Sequence, residues 1–155
     1  MAISNKTLFA LRVSLGCIFL YAGLTKILNP AWSAAGLLNT AKTLPGLYHW
    51  FASPSVIGTV NVINEWSLFL LGMSLLLGLF VGLSSRLGII LMALYYLVQL
   101  DFPYVGKNYF IVDEHVIFVI CLILLIQASA GRVWGLDSWC AKQAWSQGRL
   151  KTLFT

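Results

Sequence analysis

Three ionisable side chains interrupt long apolar segments of the sequence: Lys26, Glu65 and His115. A charge that faces lipid is costly, so such residues usually point into a helix bundle or a water-filled cavity. There an ammonium group can hold a small anion, while a desolvated carboxyl group and an imidazole can carry protons near neutral pH. These residue types predict a catalytic site that meets a small oxyanion and moves protons. The alternative is structural, with Lys26 and Glu65 as an ion pair beside a hydrogen-bonded His115.

The depth of these side chains in a membrane favours a shared site. At about 1.5 Å per helical residue, the three side chains lie about 24–28 Å from the inner ends of their segments. Asp101, in the one remaining apolar segment, lies at about 21 Å by the same calculation. Separate helices would thus bring ionisable groups to the outer edge of a hydrocarbon core about 30 Å thick. We therefore expect a polar pocket at the outer membrane face.

Metal and thiol chemistry have little support in the sequence. Glu65, Asp101 and His115 lack the dense His and Cys spacing of metal-binding motifs, so no metal site is predicted. The three cysteines, Cys17, Cys121 and Cys140, form no C-x-x-C pair, and their odd number predicts no disulfide framework. We interpret the cysteines as packing residues.

The composition places the site in a membrane protein. Hydrophobic residues make up 59% of the 155 residues and charged residues only 10%, which excludes an ordinary soluble domain. The formal net charge of +5 comes with no nucleic-acid motif, and basic residues follow the last apolar segment. This distribution predicts a multi-pass protein of the cell (inner) membrane with both termini in the cytoplasm. The first apolar segment is longer than a signal core, so no cleavable secretory signal is predicted.

The elements that must position the site are apolar segments long enough to span a bilayer. They lie at about 7–28, 54–82, 87–104 and 112–131. We predict an all-α fold, a four-transmembrane-helix bundle that forms a single membrane domain over residues 1–155. The aromatic connection between the first two spans predicts a short interfacial segment or, alternatively, a lid over the outer mouth. The tryptophan-containing tail, 133–155, predicts an amphipathic helix on the cytoplasmic surface.

The first span carries a stripe of polar, aromatic and small residues that recur every three or four positions and therefore share one helix face. They are Arg12, Gly16, Phe19, Gly23 and Lys26. The glycines allow a neighbouring helix to approach closely. Arg12, the cation near the inner end of this span, needs a partner. Asp137 is the only acidic residue in the segments predicted on that side of the membrane. We predict an Arg12–Asp137 pair that stabilises the packing.

Several stretches, taken together and in order, resemble the DoxX family of membrane proteins. They are L-R-V-S-L-G-C-I-F-L-Y-A-G-L-T-K at 11–26, G-M-S-L-L-L-G-L-F-V-G-L-S-S-R at 72–86, V-D-E-H at 112–115 and A-G-R-V-W-G-L-D at 130–137. The resemblance covers about residues 10–140. It implies a four-helix membrane bundle with the ionisable residues in an outer pocket and Arg12 and Asp137 as the structural pair.

The family includes the DoxD-like subunits of thiosulfate:quinone oxidoreductase, which pass electrons from thiosulfate to membrane quinone. The resemblance therefore implies a quinone-linked oxidoreductase subunit, in which a small oxyanion would meet Lys26 and His115 or Glu65 would pass protons. The residues predicted to contact quinone are Tyr95, Gln99 and Asp101. No flavin, haem or iron–sulfur ligand set is visible, so such a subunit would need a redox partner.

Two other functions remain open at this point. One is a non-catalytic accessory subunit in a larger membrane complex or homo-oligomer, with the lipid bilayer and the other subunits as its partners. The other is a small carrier or ion-conducting bundle, which would need a continuous polar path. Between its two cations the first helix offers only Gly16, Phe19 and Gly23 on that face, which argues against such a path.

Overall fold

The computed structural model describes residues 3–142, most of which are helical. The helices are α1 (Asn5–Ile27), α2 (Ala35–Leu38), α3 (Pro45–Phe51), α4 (Ile57–Leu77), α5 (Val81–Gln99), α6 (Glu114–Gln127) and α7 (Leu136–Cys140). Three of them, α1, α4 and α5, are long and apolar enough to cross a bilayer, and the chain is a multi-pass membrane protein. Helix α6 is also apolar but has 14 residues, so the fourth span stays a prediction.

A small antiparallel sheet between α5 and α6 departs from the all-α prediction. Its strands, in sheet order, are β1 (Leu100–Asp101), β2 (Tyr104–Val105) and β3 (Tyr109–Phe110). The third span was expected to continue to about residue 104, but α5 ends at Gln99. A helix that ran through Pro103 would bring the proline ring against the carbonyl group of Gln99, four residues earlier. The chain therefore leaves the helix and turns back as a hairpin.

The turn between the second and third spans also lies earlier than the sequence predicts. The prediction placed it at 83–86, whereas α4 ends at Leu77 and α5 begins at Val81. Gly78 adopts the left-handed conformation, with φ 64°, and ends the helix as a glycine cap. Arg86 consequently lies inside α5, where it is exposed. The start of the second span moves as well, because Pro54 lies in the turn before Ile57.

Glycines set the contact between α1 and α4, as the sequence predicts. A Cβ atom at Gly23 would lie 2.5 Å from the backbone nitrogen of Phe69, and one at Gly72 would overlap the backbone of Leu20. At Gly16 it would lie 3.0 Å from the nitrogen of Leu76. Residue numbers rise along α1 as they fall along α4, so these two helices are antiparallel and nearly in backbone contact.

The apolar core lies where α1, α4, α5 and α6 meet. Helix α5 packs along α6, and α4 and α5 meet over a smaller surface. The buried side chains of this core are Leu8, Leu15, Phe19, Leu68, Leu71, Leu75, Val81, Met92, Leu122, Leu125 and Ala130. A second buried cluster lies under α2 and α3 and contains Ala34, Leu38, Ala41, Tyr48 and Val98.

The segment after α6 folds back onto the bundle. A 3-10 turn at Ala130–Arg132 leads to α7, in which Asp137 and Cys140 are buried. Trp134 and Trp139 remain exposed. Most of the predicted amphipathic tail, residues 143–155, lies outside the described residues.

Candidate ligand-binding cavity

A cavity of about 230 Å³ lies between α4 and α5, beneath α2 and α3. Its walls are apolar except for a few groups, as in most sites for small lipophilic molecules. The lining residues are Ala34, Leu37, Leu38, Tyr48, Phe51, Val60, Ile63, Asn64, Leu91, Leu94, Tyr95 and Val98. We call this space the outer cavity, because α2 and α3 lie between the spans on the side predicted to face outward.

The polar side chains that line the outer cavity are those of Asn64 on α4, Tyr95 on α5 and Tyr48 on α3. The hydroxyl group of Tyr95 donates a hydrogen bond of 2.8 Å to Oδ1 of Asn64. Because Oδ1 accepts this bond, the oxygen side of the Asn64 amide group points towards Tyr95. The amide nitrogen of Asn64 keeps two N–H donors, and they have no hydrogen-bond partner within residues 3–142. Asn64 is one of the lining residues, so an amide group with unused donors lies at the apolar wall of the outer cavity.

Helices α2 and α3 cover the outer cavity and are tied to the spans by side-chain contacts. Tyr48, which is 2% exposed, donates 2.9 Å to the carbonyl oxygen of Leu94. Thr43 donates 2.7 Å to the carbonyl oxygen of Leu100. The backbone N–H of Ala34 donates 3.0 Å to Asn61. Burial raises the pKa of the Tyr48 phenol, so its hydroxyl stays protonated and continues to donate.

His115 lies behind the Tyr95 wall of the outer cavity. The two rings stack with centroids 5.5 Å apart and planes at 16°. Nδ1 of His115 donates to Oδ2 of Asp113 at 2.5 Å. Asp113 also caps α6 by accepting the backbone N–H groups of His115 and Val116. The carboxylate therefore orients the imidazole through Nδ1 and leaves Nε2 as the ring nitrogen that is not bonded to Asp113.

The side chain of His115 lines a different space from Tyr95. This space is a groove of about 270 Å³ between α5 and α6, to which Tyr96 and Met92 also contribute. The Tyr95–His115 stack is thus a shared wall between the outer cavity and this second groove. The hydroxyl group of Tyr96 points elsewhere, donating 2.7 Å to the carbonyl oxygen of Ile111.

Lys26 and Glu65 form a second polar group, between α1 and α4. The antiparallel contact places Lys26 one turn beyond Gly23, at the level of Glu65, and the charge of Glu65 acts on the ammonium group. No nitrogen–oxygen distance between the two is within 4.0 Å among the described residues. Lys26 instead donates 3.3 Å to the carbonyl oxygen of Ala22 and lies 5.3 Å from the ring centroid of Trp32. Neither residue lines the outer cavity.

The remaining predicted quinone contacts lie at the edge of the molecule. Asp101 forms an exposed ion pair with Lys42, which adds a further tie between the covering segment and β1. The backbone carbonyl group of Gln99 accepts a hydrogen bond of 2.9 Å from Gly106. Of the three residues predicted to contact quinone, Tyr95 is the one that lines the outer cavity. The structure thus brings Tyr95 together with His115, and Lys26 near Glu65, but leaves Asp101 on the exterior.

Arg12 and Asp137 are both buried at the opposite, inner end of the bundle. The guanidinium group of Arg12 donates to the carbonyl oxygens of Ala130 and Val133, at 2.5 and 2.9 Å, and to that of Trp134 at 3.3 Å. Two carboxylate oxygens of Asp137 accept the backbone N–H groups of Phe80 and Val81. The two side chains attract each other electrostatically but form no direct ion pair in the part of the chain that the structure describes.

Burial is the dominant influence on Asp137. It raises the pKa of the carboxyl group, and the N–H bonds from Phe80 and Val81 together with the charges of Arg12 and Arg132 oppose that rise. The carboxylate is therefore held by backbone donors at the α4–α5 turn. Arg12 and Asp137 thus both attach residues 130–137 to the bundle. Arg12 binds carbonyl oxygens of this segment, and Asp137, which belongs to the segment, binds the α4–α5 turn.

The sequence predicted the connection between the first two spans as an interfacial segment or a lid, but not the contacts that hold it. Nothing in the sequence around Tyr48 indicates that its hydroxyl group reaches Leu94 of α5. Asn64 was recognisable, because an amide inside a long apolar helix needs a polar partner. Among residues 3–142 no group of three or more His, Cys, Asp or Glu side chains is placed to hold a metal ion.

The sequence model of the family described as DoxX matches residues 7–99, which run from α1 to the end of α5. The matched part includes both walls of the outer cavity and all of its cover. No curated protein and no solved structure matches the chain.

Proposed function

Because this chain belongs to the DoxX family, we propose that it is the membrane subunit of a quinone-linked oxidoreductase and binds the ring of a membrane quinone in the outer cavity. The observation that carries this proposal is the free Asn64 amide on an apolar wall, oriented by Tyr95. A quinone ring has flat apolar faces and carbonyl oxygens that accept hydrogen bonds. A donor fixed in an apolar cavity fits those two properties.

Reduction of a quinone to a quinol adds two electrons and two protons. We assign the electrons to a partner subunit that oxidises a small oxyanion such as thiosulfate. His115, oriented by Asp113, is the proposed proton carrier on the far side of Tyr95, with Glu65 as the other candidate. Lys26 is the proposed oxyanion contact, since its half-buried ammonium group has a carbonyl group and an aromatic face as its neighbours.

We also propose that the protein resides in the cell (inner) membrane with both termini in the cytoplasm. Arg12, near the start of α1, binds the segment that follows α6, so both ends of the described chain meet at one end of the bundle. Three basic residues belong to these two ends of the chain: Lys6 near the start of α1, and Arg132 and Lys142 after α6. An excess of basic residues marks the cytoplasmic side.

The binding proposal is tested with purified protein and a tail-less quinone analogue. Tyr95→Phe removes the hydroxyl group that orients Asn64, and we expect the dissociation constant to rise about tenfold, as for the loss of one hydrogen bond in an apolar site. Tyr96→Phe is the matched control, because its hydroxyl group bonds Ile111 outside the cavity. Equal affinities in wild type and both variants would show that the ring does not use this site.

A non-catalytic accessory subunit is the competing function, and an activity measurement separates the two. Membranes that contain the wild-type complex are assayed for thiosulfate-dependent quinone reduction, in parallel with Lys26→Ala and Lys42→Ala complexes. The quinone-linked function predicts a loss of rate for Lys26→Ala and no loss for the exposed Lys42→Ala. Unchanged rates in both, with intact assembly, would favour the accessory role.

A further inference from the structure

A second apolar space of about 570 Å³ runs along the contact of α4 and α5, on the inner side of the outer cavity. We call it the α4–α5 groove. Its lining residues are Ile63, Ser67, Leu70, Leu71, Ser74, Phe80, Leu83, Ser84, Leu87, Gly88, Ile90, Leu91 and Leu94. Ile63, Leu91 and Leu94 also line the outer cavity, so the two spaces meet at these three side chains.

The polar groups of the α4–α5 groove are largely satisfied by each other. The hydroxyl group of Ser74 donates to the carbonyl oxygen of Leu79, and it lies 2.7 Å from the hydroxyl group of Ser84. Ser84 also donates to the carbonyl oxygen of Val81. What the groove presents to a ligand is therefore hydrocarbon, from Leu70, Leu83, Leu87 and their neighbours, with no charged group among the lining residues.

The direction of the groove limits its occupant. On α4 it extends from Ile63 to Ser74, about 16 Å at 1.5 Å per residue, and both helices are long and apolar enough to cross the membrane. The groove thus runs through the hydrocarbon layer, whereas the outer cavity lies at its upper end with the Asn64 donor. A ligand that fits both spaces has a ring with acceptor oxygens at one end and a long hydrocarbon chain at the other.

We propose that the α4–α5 groove binds the isoprenoid tail of the quinone whose ring occupies the outer cavity. This inference rests on the proposed function. Because lipid tails are as apolar as the groove, transfer from the bilayer contributes little, and the preference comes from packing. About ten new carbon contacts would supply it, and we expect about a tenfold gain in affinity.

The test compares quinone analogues with one ring and either no tail or a decyl tail. Binding to the purified protein in lipid nanodiscs is measured at equal concentrations in the membrane phase. Ser67→Phe places a ring in the groove one turn below Asn64, and Ser67 has no hydrogen bond within residues 3–142 that the change would break. Ser14→Phe is the matched control, because Ser14 is exposed on α1 and lines neither space. Leu87→Phe, on the α5 side of the groove, serves as a second variant.

Wild type and Ser14→Phe should bind the tailed analogue about tenfold more tightly than the tail-less one. Ser67→Phe and Leu87→Phe should lose that difference and keep the affinity for the tail-less analogue. A tail preference that survives both groove variants would overturn the proposal, as would equal affinities in wild type; in both cases the ring site stands. If neither analogue binds to wild type, the proposed function fails together with this inference. Equal affinities in wild type, with the tail-less analogue still bound, would instead assign the groove to an acyl chain of the surrounding phospholipid.

Discussion

Arg12 illustrates how a buried cation can be accommodated without a direct ion pair. The guanidinium group is fully buried, yet its charge is met by three backbone carbonyl oxygens of the segment after α6. Asp137 of the same segment accepts two backbone N–H groups at the α4–α5 turn. Both side chains therefore tie residues 130–137 to the bundle, one to α1 and the other to the loop between α4 and α5.

The first prediction concerns the dependence of these two ties on each other. Arg12→Ala and Asp137→Ala should each destabilise the protein by about 2–4 kcal/mol, since each leaves buried backbone groups without partners. The double variant should lose little more than the larger single loss, because detaching residues 130–137 removes both ties. Thermal midpoints in one detergent would measure this, with the exposed Lys142→Ala as control. Additive losses would mean that the two residues act independently.

The second prediction follows from the raised pKa of Asp137. A carboxyl group whose pKa is higher in the folded state favours folding most when it is protonated. Its contribution is fully present below the pKa of the unfolded chain and is lost as pH rises through the folded value. Compared with Asp137→Asn, which does not titrate, wild type should therefore lose stability between about pH 4 and its folded pKa. Thermal midpoints of the two proteins across acidic pH would show a constant difference if this is wrong.

At the scale of elements, the close contact of α1 and α4 depends on missing side chains. The backbone of α1 at Leu20 occupies the space that a Cβ atom of Gly72 would need, and the backbone of α4 at Phe69 does the same at Gly23. Neither neighbour is the end of a flexible side chain, so the helices would have to separate. The contact is thus specified by particular glycines rather than by general hydrophobicity.

The third prediction compares two glycines of α4. Gly72→Ala should lower the thermal midpoint, with a cost of about 1–3 kcal/mol for forcing the helices apart. Gly58→Ala should leave it unchanged or raise it, because nothing lies within 4 Å of the added methyl group and alanine favours the helix by about 0.5–1 kcal/mol. Equal effects of the two substitutions would exclude the close helix contact as their cause.

The fourth prediction concerns the cover formed by α2 and α3. Tyr48→Ala removes a buried ring and the bond to Leu94, so the connection between α1 and α4 should be cleaved faster by an added protease. Leu47→Ala, which changes a half-exposed neighbour, is the control. The exposed Lys42–Asp101 ion pair should matter little, with a cost of about 0–1 kcal/mol for Lys42→Ala. A cleavage rate unchanged by Tyr48→Ala would show that other contacts hold the cover.

In the molecule as a whole, the polar side chains that connect different helices lie in two layers, one at each end of the bundle. At the inner end Arg12 and Asp137 connect α1, the α4–α5 turn and the segment after α6. At the outer end the Asn64–Tyr95–His115 series connects α4, α5 and α6. Between these layers the contacts among the helices are mainly apolar.

The fifth prediction tests the orientation of the whole chain. Single cysteines are introduced at Lys6, Lys42 or Lys142 after the native cysteines are replaced. In intact cells a membrane-impermeant maleimide should label Lys42→Cys alone, and the other two should react only after permeabilisation. The four predicted spans would put both ends on one side, and the basic residues predict that this side is the cytoplasm. Labelling of Lys142→Cys in intact cells, with Lys6→Cys protected, would show that α6 does not complete the fourth span.

The sequence by itself determined the membrane class, the family and the helix faces, because hydropathy and residue spacing act within a single segment. It also identified Arg12, Lys26, Glu65, His115 and Asp137 as the polar residues to explain, since ionisable groups are conspicuous in apolar helices. Only the tertiary structure decided where α4 ends, because in a uniformly apolar stretch the left-handed turn at Gly78 leaves no change in hydropathy. It likewise decided that Tyr95 meets Asn64 and His115, and that Tyr48 reaches α5. Those contacts depend on how separate helices are rotated against one another, and that rotation is set by packing across the whole bundle.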